Sequence, residues 1–204
     1  MRKSRILLGV GIFFIVLWLA LHLFLTSPIY YSLLSSKAAE PVALYLNDNG
    51  DLPLELSLRE EIHMKDVKNI FSTMDAVIGI VALLASIGAI IVLTRKKDLS
   101  KIFSDVFNVA GILTFVTSVL LLIGAVFFRF AFVGMHKLLF SNDYWILSHD
   151  SLLIRLFPES FFVAMVLTLL LYTLIISSIL FVSGRALRVK NGSHIRKRRN
   201  KKKA

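Results

Sequence analysis

The chain has 204 residues, of which 56% are hydrophobic, with no cysteine and a formal net charge of +11. So large an apolar share excludes an ordinary water-soluble domain, and a chain this short suits one compact bundle better than two domains. The lack of cysteine excludes a thiol nucleophile, a disulfide relay and any cysteine-based metal site.

Four apolar runs, at about residues 6–25, 74–94, 106–128 and 159–183, each approach the ~20 residues a helix needs to cross ~30 Å of hydrocarbon. The first follows Arg2, Lys3 and Arg5, as a secretory signal would. Its apolar stretch is too long for a signal core and no small-x-small cleavage site follows, so it is expected to remain as a helix. Thr26-Ser27-Pro28 stops that run, and Ile29-Tyr30-Tyr31 would place aromatic rings at the outer membrane interface. Between residues 42 and 58 the pattern changes to period two. Leu44 and Leu46 precede Asn47-Asp48-Asn49-Gly50, and Leu52, Leu54, Leu56 and Leu58 follow it, which predicts a short β-hairpin with Pro53 confining its strand to an edge.

Ser57 stands three residues before Glu60, the spacing of a capping box, and helical periodicity runs from Leu58 through Val67 into the second apolar run. His63 lies on that leading segment. Before the third run, Leu99, Ile102, Phe103, Val106 and Phe107 recur at helical spacing and predict an interfacial turn. Residues 129–158 are the richest polar and aromatic stretch, mixing Phe130, Phe132, Phe140, Tyr144 and Trp145 with His136, Lys137, Asn142, Asp143, His149, Asp150 and Arg155. Phe157-Pro158-Glu159 then reads as the start of the fourth helix, with proline in its first turn and an acid favoured by the helix dipole.

Charge orients these runs. Placing the N-terminus, residues 95–105 and residues 184–204 on one side collects 17 of the 24 Lys and Arg residues, which marks that side as cytoplasmic. The expectation is an all-α membrane protein of one domain, residues 1–204, with four spans and both termini inside. Outer segments 26–73 and 129–158 would carry the hairpin and interfacial helices. The tail, with Arg196-Lys197-Arg198-Arg199 and Lys201-Lys202-Lys203, would attract anionic inner-leaflet lipid. No RNA-binding fold accompanies it, so no nucleic acid partner is expected.

Of the five histidines, His22 falls near the outer end of the first span and His194 in the basic tail. His63, His136 and His149 fall in the outer segments. They lack metal-ligand spacing and no Gly-x-Ser-x-Gly is present, so neither a metal, a cofactor nor a serine hydrolase is expected. Two histidines suffice where the substrate brings its own nucleophile and needs only proton transfer and orientation. The competing reading is a non-catalytic four-helix scaffold or chaperone-like subunit that presents its outer segments to a partner. A transporter would show polar residues near mid-membrane, whereas Gly79, Gly88, Gly111 and Gly124 suggest close helix packing.

The stretches Glu61-Ile62-His63-Met64-Lys65-Asp66-Val67-Lys68 and Met135-His136-Lys137-Leu138-Leu139-Phe140, then Trp145, Leu153-Ile154 and Phe157-Pro158-Glu159-Ser160-Phe161-Phe162, resemble the bacterial lipoprotein intramolecular transacylase family, Lit. The resemblance implies an enzyme in the plasma membrane with its site at the outer face. It would move an acyl chain from the sn-2 position of the diacylglyceryl group on a lipoprotein's N-terminal cysteine to that cysteine's α-amino nitrogen, giving a lyso-form lipoprotein. The family's essential histidines fall on His63 and His136. Lys65, Lys137, Asn142 and Trp145 are candidate donors to the developing oxyanion. Each has a plainer role open to it: Lys65 pairing with Glu61, Lys137 meeting lipid phosphate, Asn142 shaping a turn, Trp145 anchoring at the interface. Met135 stands where the family usually has an aromatic residue. Ser148-His149-Asp150 departs from its usual Asp-Pro stretch, so no role passes to His149 or Asp150.

Overall fold

The computed structural model describes residues 2–26, 39–47, 50–52, 55–94 and 98–201. Its helices are α1 (Arg2–Thr26), α2 (Glu40–Leu46), α3 (Leu58–Thr94), α4 (Leu99–Val126), α5 (Phe128–Leu139), α6 (Leu152–Leu156) and α7 (Glu159–Lys201). Four of them contain stretches long and apolar enough to cross a membrane: Ser4–His22, Leu58–Val92, Leu99–Val126 and Glu159–Val189. Their outward faces are apolar. Ile80, Leu83, Leu84 and Ile90 on α3 are each about 60% exposed, a surface suited to lipid and costly in water. With 37 residues, α3 is about 55 Å long at 1.5 Å per residue, well beyond the hydrocarbon thickness. Its charged first turns, with Arg59, Glu60, Glu61, Lys65, Asp66 and Lys68, therefore extend past the apolar stretch.

The β-hairpin is absent: among the described residues there is no strand, and residues 40–46 form α2. Pro41 enters at the first turn behind Glu40, both favourable at a helix start, and Asn47 closes the helix with its amide donating to the Ala43 carbonyl. What the alternating leucines concealed is that Val42, Ala43 and Leu46 share one helical face, and all three are buried. Pro53 and Leu54, like Asp48-Asn49 of the expected turn and the Ile29-Tyr30-Tyr31 belt, lie outside the described residues. The predicted turn before the third span is the opening of α4, where the Lys101 amide donates to the Asp98 carboxylate at 3.1 Å.

The chain divides into two units. The first comprises Met1–Trp18, Ile78–Ser118 and Leu171–Ala204. α1 and α4 meet closely at Gly9, where a Cβ would sit 2.7 Å from Cβ of Val109 and 2.9 Å from the Val106 carbonyl oxygen. Gly88 faces Leu8 and Gly111 faces Leu180 at 3.2 and 3.3 Å, as expected of packing glycines, whereas nothing approaches Gly79 within 4 Å. Polar groups also link α4 to α7: the Ser118 hydroxyl donates to Thr173 Oγ1 at 2.9 Å and Ser104 Oγ donates to the Gly184 carbonyl at 2.8 Å. Such bonds stabilise apolar bundles because hydrocarbon offers no alternative partner.

The second unit comprises Leu19–Val77 and Val119–Leu170. It holds a compact apolar core of Ala39, Val42, Ala43, Leu46, Leu56, Met64, Leu153 and Leu156, so α2 and α6 pack on the first turns of α3. Lys68 adds a cation–π contact, its Nζ 4.2 Å from the Tyr45 ring centre.

Candidate active site

The site begins with the cap of α3. Ser57 donates from its backbone N–H and its hydroxyl to Glu60 Oε2 at 2.8 and 2.7 Å, the predicted capping box. The other carboxylate oxygen of Glu60 accepts the Leu153 N–H at 2.8 Å, fixing the start of α6 to the start of α3. Glu60 is almost fully buried, at 3% exposure. His63 follows one turn later on the same face. It too is buried, and its Nδ1 has no hydrogen-bond partner among the described residues.

The second histidine arrives on α5. His136 occupies the last turn of that helix and is 7% exposed, with its ring centre 5.9 Å from that of His63. His136 Nδ1 lies 2.8 Å from the Phe132 carbonyl oxygen. A carbonyl only accepts, so Nδ1 carries the hydrogen, and in the neutral ring Nε2 then bears the lone pair. Burial lowers the His136 pKa from its ordinary value, and the Phe132 hydrogen bond partly opposes this. The imidazole is thus held in a basic tautomer.

Aromatic rings enclose both histidines. Phe132 lies 4.2 Å and Trp145 5.0 Å from His136, while Phe140 contacts His63 edge-on at 5.1 Å and His136 at 5.5 Å. Residues 140–151 lack regular structure and are tied down from α3. The Asn142 side-chain amide donates to Asp66 at 2.9 Å, and its oxygen accepts the Tyr144 N–H at 3.0 Å. The Arg59 guanidinium donates to the Asp143 carbonyl and, at 3.0 Å, to the Ile146 carbonyl, while resting 5.7 Å from the Tyr144 ring centre. Trp145 is thereby set against His136.

The residues expected to donate to an oxyanion divide accordingly. Trp145 comes to His136, whereas the Asn142 amide is engaged with Asp66. Lys65 is drawn aside to Glu61 at 3.8 Å, and Lys137 is exposed. His149 is exposed, and His22 lies with its Nδ1 3.4 Å from Asp75. No group of three metal-ligating side chains occurs among the described residues. Sequence reasoning passed over Arg59, Asp66 and Phe132 as site residues. For the last two there was a signal: Asp66 is three residues after His63 and Phe132 four before His136, so each shares a helix face with its histidine.

Two acids and bases buried side by side, without a nucleophile of their own, suit proton transfer to and from a substrate that supplies both reacting groups. A family model described as lipoprotein intramolecular transacylase Lit matches residues 34–162, which include both buried histidines and the residues set against them. A solved structure of the membrane integral lipoprotein intramolecular transacylase Lit from Bacillus cereus is 26% identical, with a TM-score of 0.77 over 94% of this chain and 97% of that one. Forms of that protein carrying a histidine-to-arginine or a histidine-to-alanine mutation each superpose with a TM-score of 0.71. They are 26% and 27% identical and cover 95% and 94% of this chain, and 94% and 95% of theirs. No curated protein sequence gives a significant match.

Proposed function

The chain belongs to the lipoprotein intramolecular transacylase family, and from that premise we propose that it converts diacylglyceryl-modified lipoprotein N-termini to their lyso form. The family makes it an acyltransferase and a multi-pass membrane protein. In the reaction proposed here, the α-amino nitrogen of the lipid-modified cysteine attacks the sn-2 ester carbonyl of the same molecule. A C–N bond forms, the C–O bond to the glycerol breaks, and the product carries an amide and a free sn-2 hydroxyl. Neither water nor an acyl-enzyme takes part. The observation that carries this reading is the buried pair of imidazoles 5.9 Å apart, one of them held with its Nε2 as the basic atom.

Roles follow from those contacts. His136 Nε2 takes the proton that the attacking nitrogen loses, while Nδ1–H stays on the Phe132 carbonyl. The imidazolium of His136 is then the acid that returns a proton to the departing sn-2 oxygen, and His63 relays it, accepting on one ring nitrogen as it donates from the other. Trp145 and Phe140 keep bulk water from the pair and give the glycerol end of the substrate an apolar wall. Because amine and ester belong to one molecule, holding them in contact replaces a bimolecular encounter, and effective molarities for well-oriented groups reach roughly 10⁵–10⁸ M. The enzyme has mainly to select the folded-back conformer and move two protons.

The charge asymmetry supports an N-in, C-in arrangement, with the histidines at the outer face of the plasma membrane and the basic tail against anionic inner-leaflet lipid. The substrates are then lipoproteins after attachment of diacylglycerol and exposure of the cysteine amine. A synthetic diacylglyceryl-cysteine lipopeptide in micelles tests the reading with purified protein. The free-amine peptide is expected to isomerise, and the same peptide with its amine acetylated is expected to remain unchanged. Hydrolysis of the acetylated peptide would instead mark a lipase and overturn an intramolecular transfer.

A further inference from the structure

The first unit, which does not contain the histidine pair, holds a cavity of about 520 Å³ lined by Arg5, Ile6, Lys101, Asp105, Asn108, Val109 and Arg188. Three basic side chains from three helices converge there around a single carboxylate. Asp105 is shared: Arg5 donates to one of its oxygens, and Arg188 lies 3.6 Å from the other. Lys101 forms no ion pair among the described residues, so positive charge is left over.

The sequence register of these residues is informative. Arg5 and Ile6 stand at the beginning of the first apolar run, Lys101 and Val109 bracket the beginning of the third, and Arg188 follows the end of the fourth. Each helix therefore delivers its cation where its hydrocarbon-crossing stretch stops, the depth of lipid phosphates. Ile6 and Val109 provide apolar wall beside the charge. Arginine suits a phosphate through its planar set of donors, and lysine adds a mobile point charge.

We infer that this cavity binds a phosphate group, as the headgroup phosphate of an anionic phospholipid or as a free phosphate ion. Asp105 then acts as the fixed counter-charge that orients Arg5 and Arg188, with the phosphate completing neutralisation beside Lys101. The basic tail attracts anionic surfaces diffusely, whereas this site is a single one, made by α1, α4 and α7.

Native mass spectrometry of the full chain from micelles doped with phosphatidylglycerol tests the lipid source. Thermal unfolding in inorganic phosphate against chloride of equal ionic strength tests the free ion. Three proteins are compared: the unaltered chain, Lys101→Gln with Arg188→Gln, and a tail variant with Lys201→Gln, Lys202→Gln and Lys203→Gln. The inference expects one tightly held adduct, or a phosphate-specific stabilisation, in the unaltered and tail-variant proteins. The cavity variant should bind tens of times more weakly, about fivefold for each surface charge removed. A lipid adduct without a phosphate effect assigns the lipid, and the reverse assigns the ion. Neither effect in the unaltered chain, equal binding by the cavity variant, or loss only in the tail variant would overturn the site.

Discussion

At the scale of single residues, the two histidines differ in how they are held. His136 has one nitrogen committed to Phe132, and His63 has a buried nitrogen with no partner among the described residues. Replacing either by alanine is expected to lower turnover by roughly 10²–10⁴-fold, the usual contribution of a positioned acid or base. A single-turnover assay on lipopeptide checks this, and wild-type turnover in either variant would remove that residue from the chemistry. The lowered pKa of His136 also sets a pH response. Its neutral form persists below the ordinary histidine value of about 6.5, so the acid limb of kcat/KM should fall below that value. For stability, the unfolded chain binds more protons than the native one between the unfolded and the lower folded pKa. This contribution is therefore complete above about pH 6.5 and is lost as pH falls toward the folded value, a trend that should be weaker, though not absent, in unfolding curves of His136→Ala because His63 is buried beside it. Glu60 serves structure: Glu60→Ala breaks the cap and orphans the Leu153 N–H, which should cost about 1–3 kcal/mol in thermal unfolding.

Among the secondary-structure elements, helix crossings offer an internal comparison. Gly9→Ala puts a Cβ into Val109 and the Val106 carbonyl and should destabilise the unit by about 1–3 kcal/mol, while Gly79→Ala, with open space around it, should leave unfolding unchanged. Thermal unfolding of the two variants side by side checks the contrast, and equal behaviour would mean that α1 and α4 do not meet at Gly9. The long helices were legible in the sequence because a run of about 20 apolar residues admits few other structures. The cap at Ser57 and Glu60 was legible for a related reason, since its spacing states its own hydrogen bonds. Residues 42–46 were not. Val42, Leu44 and Leu46 alternate as a strand would, and only burial on α3 and α6 selects the helical face of Val42, Ala43 and Leu46. Of the four glycines expected to pack, Gly88 and Gly111 face neighbouring side chains closely. Gly9, the closest approach, drew no notice because composition along one helix cannot reveal its partner.

For the whole molecule, the histidines of α3 and α5 are 73 positions apart in sequence, and spacing alone offered no reason to join them. The family resemblance brought them together, and the fold adds what it could not supply: the Phe132 carbonyl that sets a tautomer, the Trp145 and Phe140 rings, and the Arg59 and Asp66 ties that hold the intervening loop. The most direct measurement is fragmentation mass spectrometry of the N-terminal lipopeptide from a reporter lipoprotein, produced in a host without other N-acylating activity. It is made beside the unaltered chain, His63→Ala and His136→Ala, with equal expression confirmed. The account predicts that the unaltered chain yields the equal-mass isomer with an N-acyl group and a monoacylglyceryl thioether, and that both variants leave the diacylglyceryl form with a free amine. A diacylglyceryl lipopeptide with a free amine in all three cultures would contradict it and favour a non-catalytic membrane scaffold.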